Sequence, residues 1–92
     1  MKPARFAAAA RDEFLAGVEQ YGARFRDAVN HAIGCIRRFP AAWAAFPDQP
    51  GIRRFVLKRF PFVVVYRETE TEIRLLAVAP TKRRPAYWKR RR

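Results

Sequence analysis

Apolar residues recur through the first forty positions at helical spacing. Ala10, Phe14, Val18 and Tyr21 follow one another at intervals of four, four and three. That spacing stacks them on one face of a helix predicted from about Ala8 to Tyr21. Asp12 and Glu13 fall in its early turns, where the helix dipole favours acids. Gly22 is placed to end it. A second helix is predicted from about Ala23 to Arg38, with Phe25, Val29, Ala32, Ile33 and Ile36 on one face. Arg37 and Arg38 complement its C-terminal end, and Pro40 follows. Two helices separated by a single glycine read as an antiparallel hairpin. Residues 3–7 ahead of them read as a short strand.

Residues 40–51 hold Pro40, Pro47, Pro50 and Gly51, the composition of a loop. After them the period becomes two. Phe55 and Leu57 point one way, and Arg54, Val56 and Lys58 the other. Phe62 to Tyr66 is β-branched and aromatic on both faces, as a central strand should be. Thr69-Glu70-Thr71 is a polar turn, and Ile73 to Ala79 forms the last apolar strand. The expected fold is α+β in the order β-α-α-β-β-β: a short N-terminal strand, a two-helix hairpin and a three-stranded antiparallel meander. One sheet face takes the helices, the other is flanked by basic segments, and a basic C-terminal segment closes the chain.

Composition bounds this picture. Ninety-two residues make one domain, 1–92, and half of them are hydrophobic, with thirteen aromatics, which suits a packed core. Cys35 is the single cysteine, so a disulfide scaffold is excluded and a reducing cytoplasm is expected. It falls beside the apolar stripe of the second helix and is expected to be a packed, inert thiol. The N-terminus does not read as a secretory signal, and no segment approaches the ~20 apolar residues of a membrane span.

Charge adds what the periodicity leaves out. The net charge is +12, and two acid-free segments carry all of it: Ile52–Arg67 holds +5 and Thr81–Arg92 holds +7. A charge so localised reads as a footprint for an anionic partner. Arg54 and Lys58, four apart on an extended strand, are expected on one face about 13 Å from each other. A solvated face normally mixes signs, and this one does not. In the tail, Tyr87-Trp88 interrupts the basic run and is expected to anchor Arg83–Trp88 on the sheet beside Arg54 and Lys58. Lys89–Arg92 is expected to be a loose extension. The sole histidine, His31, lies off the apolar face of its helix and reads as a surface residue. No metal-ligand spacing and no glycine-rich phosphate loop occurs, so no metal and no cofactor are expected.

The residues resemble a known family. Arg54-Phe55-Val56-Leu57-Lys58-Arg59-Phe60-Pro61-Phe62-Val63-Val64-Val65-Tyr66 is similar to the R-x-x-L-x-x-F-P-[YF]-x-[IV]-x-Y core of the RelE/ParE toxin superfamily. Ala77-Val78-Ala79, followed by Arg83-Arg84-Pro85-Ala86-Tyr87-Trp88, resembles its closing A-V-x-H-x-x-R-x-P-x-Y-W segment. Pro80 stands where that segment has its histidine.

The resemblance implies the toxin subunit of a type II toxin–antitoxin pair, cytoplasmic and held in a hetero-oligomer by an antitoxin with an acidic or amphipathic segment. In the ParE-like branch, which Phe60-Pro61-Phe62 and Pro85-Ala86-Tyr87-Trp88 resemble more, it implies inhibition of DNA gyrase by binding. In the RelE-like branch it implies ribosome-dependent mRNA cleavage through Arg54, Lys58, Arg59, Arg83 and Tyr87. In either, Arg53, Arg54, Lys58, Arg59, Arg83, Arg84, Tyr87 and Trp88 are the expected target- or antitoxin-binding set. A third reading, from the charge alone, is a non-toxic nucleic-acid-binding module.

Overall fold

The structure is a computed structural model that describes residues 1–82. Strand β1 (Ala4–Phe6) leads into helix α1 (Ala8–Tyr21) and helix α2 (Ala23–Arg38). Four strands follow: β2 (Ala45–Phe46), β3 (Gln49–Val56), β4 (Phe62–Glu68) and β5 (Ile73–Pro80). Both helices have the bounds their periodicity predicts. Gly22 separates them at φ 81°, a left-handed backbone that costs glycine nothing.

The described strands form one sheet in the order β1-β5-β4-β3-β2. The expected antiparallel meander is its β3-β4-β5 portion. The sheet is nevertheless mixed, because β1 pairs with β5 in parallel, Ala4 to Ile73 and Phe6 to Leu75. β1, β3 and β5 thus run one way and β2 and β4 the other, with β2 reversing the chain between α2 and β3. A second difference lies in residues 40–51. The expected loop contains β2 and the first residues of β3, and Phe46 pairs with Gln49 across the turn at Pro47-Asp48.

The main core lies between the helices and one sheet face. Phe25, Val29, Ala32 and Ile36 of α2 are fully buried against Val64, Tyr66, Ile73, Leu75 and Val78. Each large side chain there contributes roughly 1.5–3 kcal/mol by leaving water. Gly17 permits the closeness of the helices: a Cβ there would sit 2.3 Å from Cε2 of Phe25. A second cluster occupies the other sheet face, with Ile52, Val63, Val65, Leu76, Ala77 and Ala79. β5 serves both through a bulge. Val65 pairs with Ala77 and Tyr66 with Leu75, so the register slips by one residue at Leu76. Leu76 and Ala77 both join the second cluster, and Leu75 and Val78 both join the first.

Three side-chain hydrogen bonds lock the layers. Glu13 Oε1 accepts from the Val78 backbone N–H at 3.0 Å, tying α1 to the part of β5 that β1 does not reach. Arg37 Nε donates to the Lys2 carbonyl at 2.8 Å, tying the end of α2 to the chain entering β1. Tyr66 Oη donates to the Pro40 carbonyl at 2.5 Å and fastens the chain leaving α2. Burial pushes the Tyr66 hydroxyl up to about 12; nearby Glu68 adds to the shift and Arg53 opposes it.

Candidate functional site

Four aromatic rings set the position of the basic residues. Phe60 and Phe62, in the segment that leads from β3 into β4, close on Tyr21 and Phe25 at the turn of the helix hairpin. Phe25 meets Phe62 at 5.0 Å and Phe60 at 5.3 Å, both edge-on, and Tyr21 meets each of the same two rings at 5.7 Å. Edge-to-face contacts of this kind add about 0.5–1.5 kcal/mol per pair to the burial itself. They fix the intervening Pro61 and the bend before it. Phe60-Pro61-Phe62, singled out by the family pattern, is therefore a packing device in this fold.

That bend separates the residues expected to share a face. β3 ends at Val56, and Lys58 and Arg59 lie in the bend beyond it. Arg54 sits opposite Val65, on the sheet face away from the helices, with its guanidinium 5.3 Å from the Phe46 ring centroid. Lys58 and Arg59 instead line a groove on the helix side, so Arg54 and Lys58 share an edge of the sheet and not a face. All three are exposed. Arg53 has a different role. It is half-buried opposite Tyr66, and its Nη1 donates to the Trp43 carbonyl at 2.8 Å, holding the loop after α2.

The groove has a volume of about 730 Å³. Phe55, Leu57 and Phe60 form its apolar floor, and Lys58 and Arg59 form one wall. The other wall is α2 and the end of α1: Tyr21, Arg24, Asp27, Ala28 and His31. Sequence reasoning missed Arg24, Asp27 and Tyr21 as site residues. Arg24, Asp27, Ala28 and His31 stand at spacings of three, one and three along α2, so they form one stripe beside the buried one. That stripe was legible, but its juxtaposition with residues 55–60 was not. Asp27 is the single carboxylate among the described lining residues, and Arg26 already pairs with it at 3.4 Å.

His31 is on the surface, as its position predicts, and also faces this groove. Its Nε2 lies 3.6 Å from Sγ of Cys35, one turn along α2. Cys35 is half-buried. Among the described residues no group of three or more His, Cys, Asp or Glu could hold a metal ion. None of the helices described is long and apolar enough to cross a membrane. Arg83, Arg84, Tyr87 and Trp88, the expected closing segment and the loose extension after it lie outside the described residues.

Neither a family model nor a curated protein matches the chain. The fold is similar to that of a chain in a solved structure titled "Chromosomal ParDE TA system from P. aeruginosa". The TM-score is 0.61 at 20% sequence identity, over 87% of this chain and 96% of that one.

Proposed function

We propose that this protein is the toxin of a type II toxin–antitoxin pair. In this reading it arrests growth by binding an essential macromolecular machine, DNA gyrase first, and a cognate antitoxin neutralises it. One observation carries the proposal: exposed Arg54, Lys58 and Arg59 wrap one sheet edge, on a fold similar to that of a chain from a ParDE toxin–antitoxin system. An edge that presents cations to both sides suits an extended anionic partner better than a small substrate.

Binding is favoured over cleavage by what surrounds these cations. Attack by an RNA 2′-hydroxyl needs a base and an acid aimed at the phosphate, with cations around it. Arginines supply only the cations. The ribonuclease alternative rests on Arg54, Lys58, Arg59, Arg83 and Tyr87, and one observation beyond them favours it: His31 lines the groove with Lys58 and Arg59. Its Nε2, however, is turned along α2 to Cys35.

Two assays separate the readings. Purified protein should inhibit supercoiling by DNA gyrase and leave toe-prints of translating ribosomes unchanged. Codon-specific mRNA cuts that disappear in His31→Ala or Tyr87→Phe would replace gyrase binding by ribosome-dependent cleavage. Salt-sensitive duplex binding with no effect on growth is the signature of the plain nucleic-acid-binding module.

A further inference from the structure

We propose that Arg5, Arg74 and Arg67, side by side on the sheet face away from the helices, form a binding site for a diphosphate group. The site lies apart from the groove and from the bend at Lys58 and Arg59, and it stands whether or not the chain is a toxin. Arg5 and Arg74 fall outside the two segments that carry the net charge, so charge along the chain does not reveal it.

Strand register brings the three together. Arg5 of β1 stands opposite Arg74 of β5, and Arg74 stands opposite Arg67 of β4. Their chain neighbours Phe6, Ile73, Leu75 and Tyr66 belong to the core under the helices or pack against it, so alternation sends the arginines to the other face. Neighbouring strands lie about 4.8 Å apart, which makes the row about 10 Å long. Like charges directly opposite each other on adjacent strands are destabilising, and here that happens twice in succession. Such breaches of local rules are expected at functional sites. The row sits at the start of β5, about 20 Å along the strand from Pro80 at its other end.

The contacts within the row leave it short of negative charge. Among the described residues Glu72 is the one carboxylate that reaches it, with Oε1 3.5 Å from Arg5 Nε and Oε2 3.8 Å from Arg74 Nη1. Both distances exceed the about 2.7–2.9 Å of a strong charge-assisted hydrogen bond. Arg74 Nε is buried and has no hydrogen-bond partner among the described residues. Arg74 is thus held by one long contact, and its guanidinium can turn to a better acceptor when Glu72 yields. Arginine forks match phosphate oxygens two at a time. Three forks in line, with Arg74 shared between its neighbours, suit two linked phosphoryl groups better than one. The row stops at Arg67. Its partner on β3 is the buried Ile52, and the next arginine, Arg54, lies 5.3 Å from the Phe46 ring centroid. The register places no aromatic residue beside the row, so bases would find nothing there to stack on. A short row without rings favours a diphosphate over a nucleic-acid strand.

The test uses the full chain, with inorganic pyrophosphate, adenosine diphosphate and orthophosphate compared by calorimetry at one ionic strength. Saturable binding of a diphosphate, at least tenfold tighter than that of orthophosphate, is expected, and it should raise the melting temperature. Whichever of pyrophosphate and adenosine diphosphate binds more tightly names the source; failure of both refutes the site. Arg74→Gln should weaken binding at least tenfold. Arg74→Lys keeps the charge but loses the planar fork, and should weaken it clearly as well. Arg67→Gln, at an exposed position, repeats the test where folding is not at stake. Glu72→Gln removes the competing carboxylate and should tighten binding. Arg38→Gln removes an exposed charge from the end of α2 and should leave binding unchanged. Equal losses in Arg38→Gln and Arg67→Gln, or undiminished binding to a folded Arg74→Gln, would overturn the proposal. A ten-nucleotide single strand that binds more tightly than either diphosphate, and is released by the same substitutions, would make the row a nucleic-acid site and refute it too. Growth arrest in cells bears on the toxin reading alone, so the two can fail separately.

Discussion

Tyr66 joins three parts of the molecule: its ring is in the core, its hydroxyl holds Pro40, and it pairs across strands with Arg53. Tyr66→Phe keeps the ring and orphans the Pro40 carbonyl, so a loss of about 1 kcal/mol is expected in urea unfolding at neutral pH. The pH dependence has a definite sign. The folded-state pKa of about 12 lies above the ordinary 10.0, so the unfolded chain ionises first. Stability from the neutral hydroxyl is intact below pH 10 and is lost between pH 10 and 12. The gap between the wild type and Tyr66→Phe should therefore narrow over that window; a gap that widens would contradict the burial of this hydroxyl. Gly17 is a second single-residue test. Alanine would gain up to about 1 kcal/mol in helix propensity. Its Cβ would also press on Phe25 at 2.3 Å, at a cost of about 1–3 kcal/mol. Gly17→Ala should lower the melting temperature, and a raised one would show that the ring yields.

At the scale of elements, the sheet carries two cores because β5 changes phase at Leu76. β5 also depends on α1 where β1 does not reach, through Glu13 on the Val78 amide. Glu13→Ala should cost about 1–3 kcal/mol in chemical denaturation, and Glu13→Gln, which retains an acceptor oxygen, clearly less; equal losses would show that the Val78 bond is not the reason. These elements also show what a sequence can carry. The helices were legible to the residue because period and Gly22 agree. The α+β order and the exposure of Arg54, Lys58 and Arg59 were legible for the same local reasons. The parallel pairing of β1 was not, since it depends on β1 docking beside β5, nearly seventy residues away in sequence, and on β2 reversing the chain inside the expected loop. Nor was the split of Arg54 from Lys58. An extended strand would put them on one face, and only the packing of Phe60 and Phe62 on Tyr21 and Phe25 ends β3 at Val56. The groove was hidden for a related reason: its walls are some thirty residues apart in sequence.

At the scale of the molecule, a net charge of +12 gathers in two segments, and the described one wraps a sheet edge. Exposed charges act over about 10 Å at 0.1 M salt. Binding to any anionic partner at this edge should accordingly weaken as salt rises from 0.05 to 0.5 M, with Arg54→Glu, Lys58→Glu and Arg59→Glu each lowering the slope. Salt-independent binding would place the partner elsewhere. The most direct test of the central claim is growth after induced expression of this chain alone, beside the triple charge-reversal variant at matched protein level. Arrest by the wild type, with at least a hundredfold more colonies from cells expressing the variant, is the predicted result. Unimpaired growth with the wild type, or equal arrest by both, would contradict the assignment of this edge as the target-binding surface of a toxin.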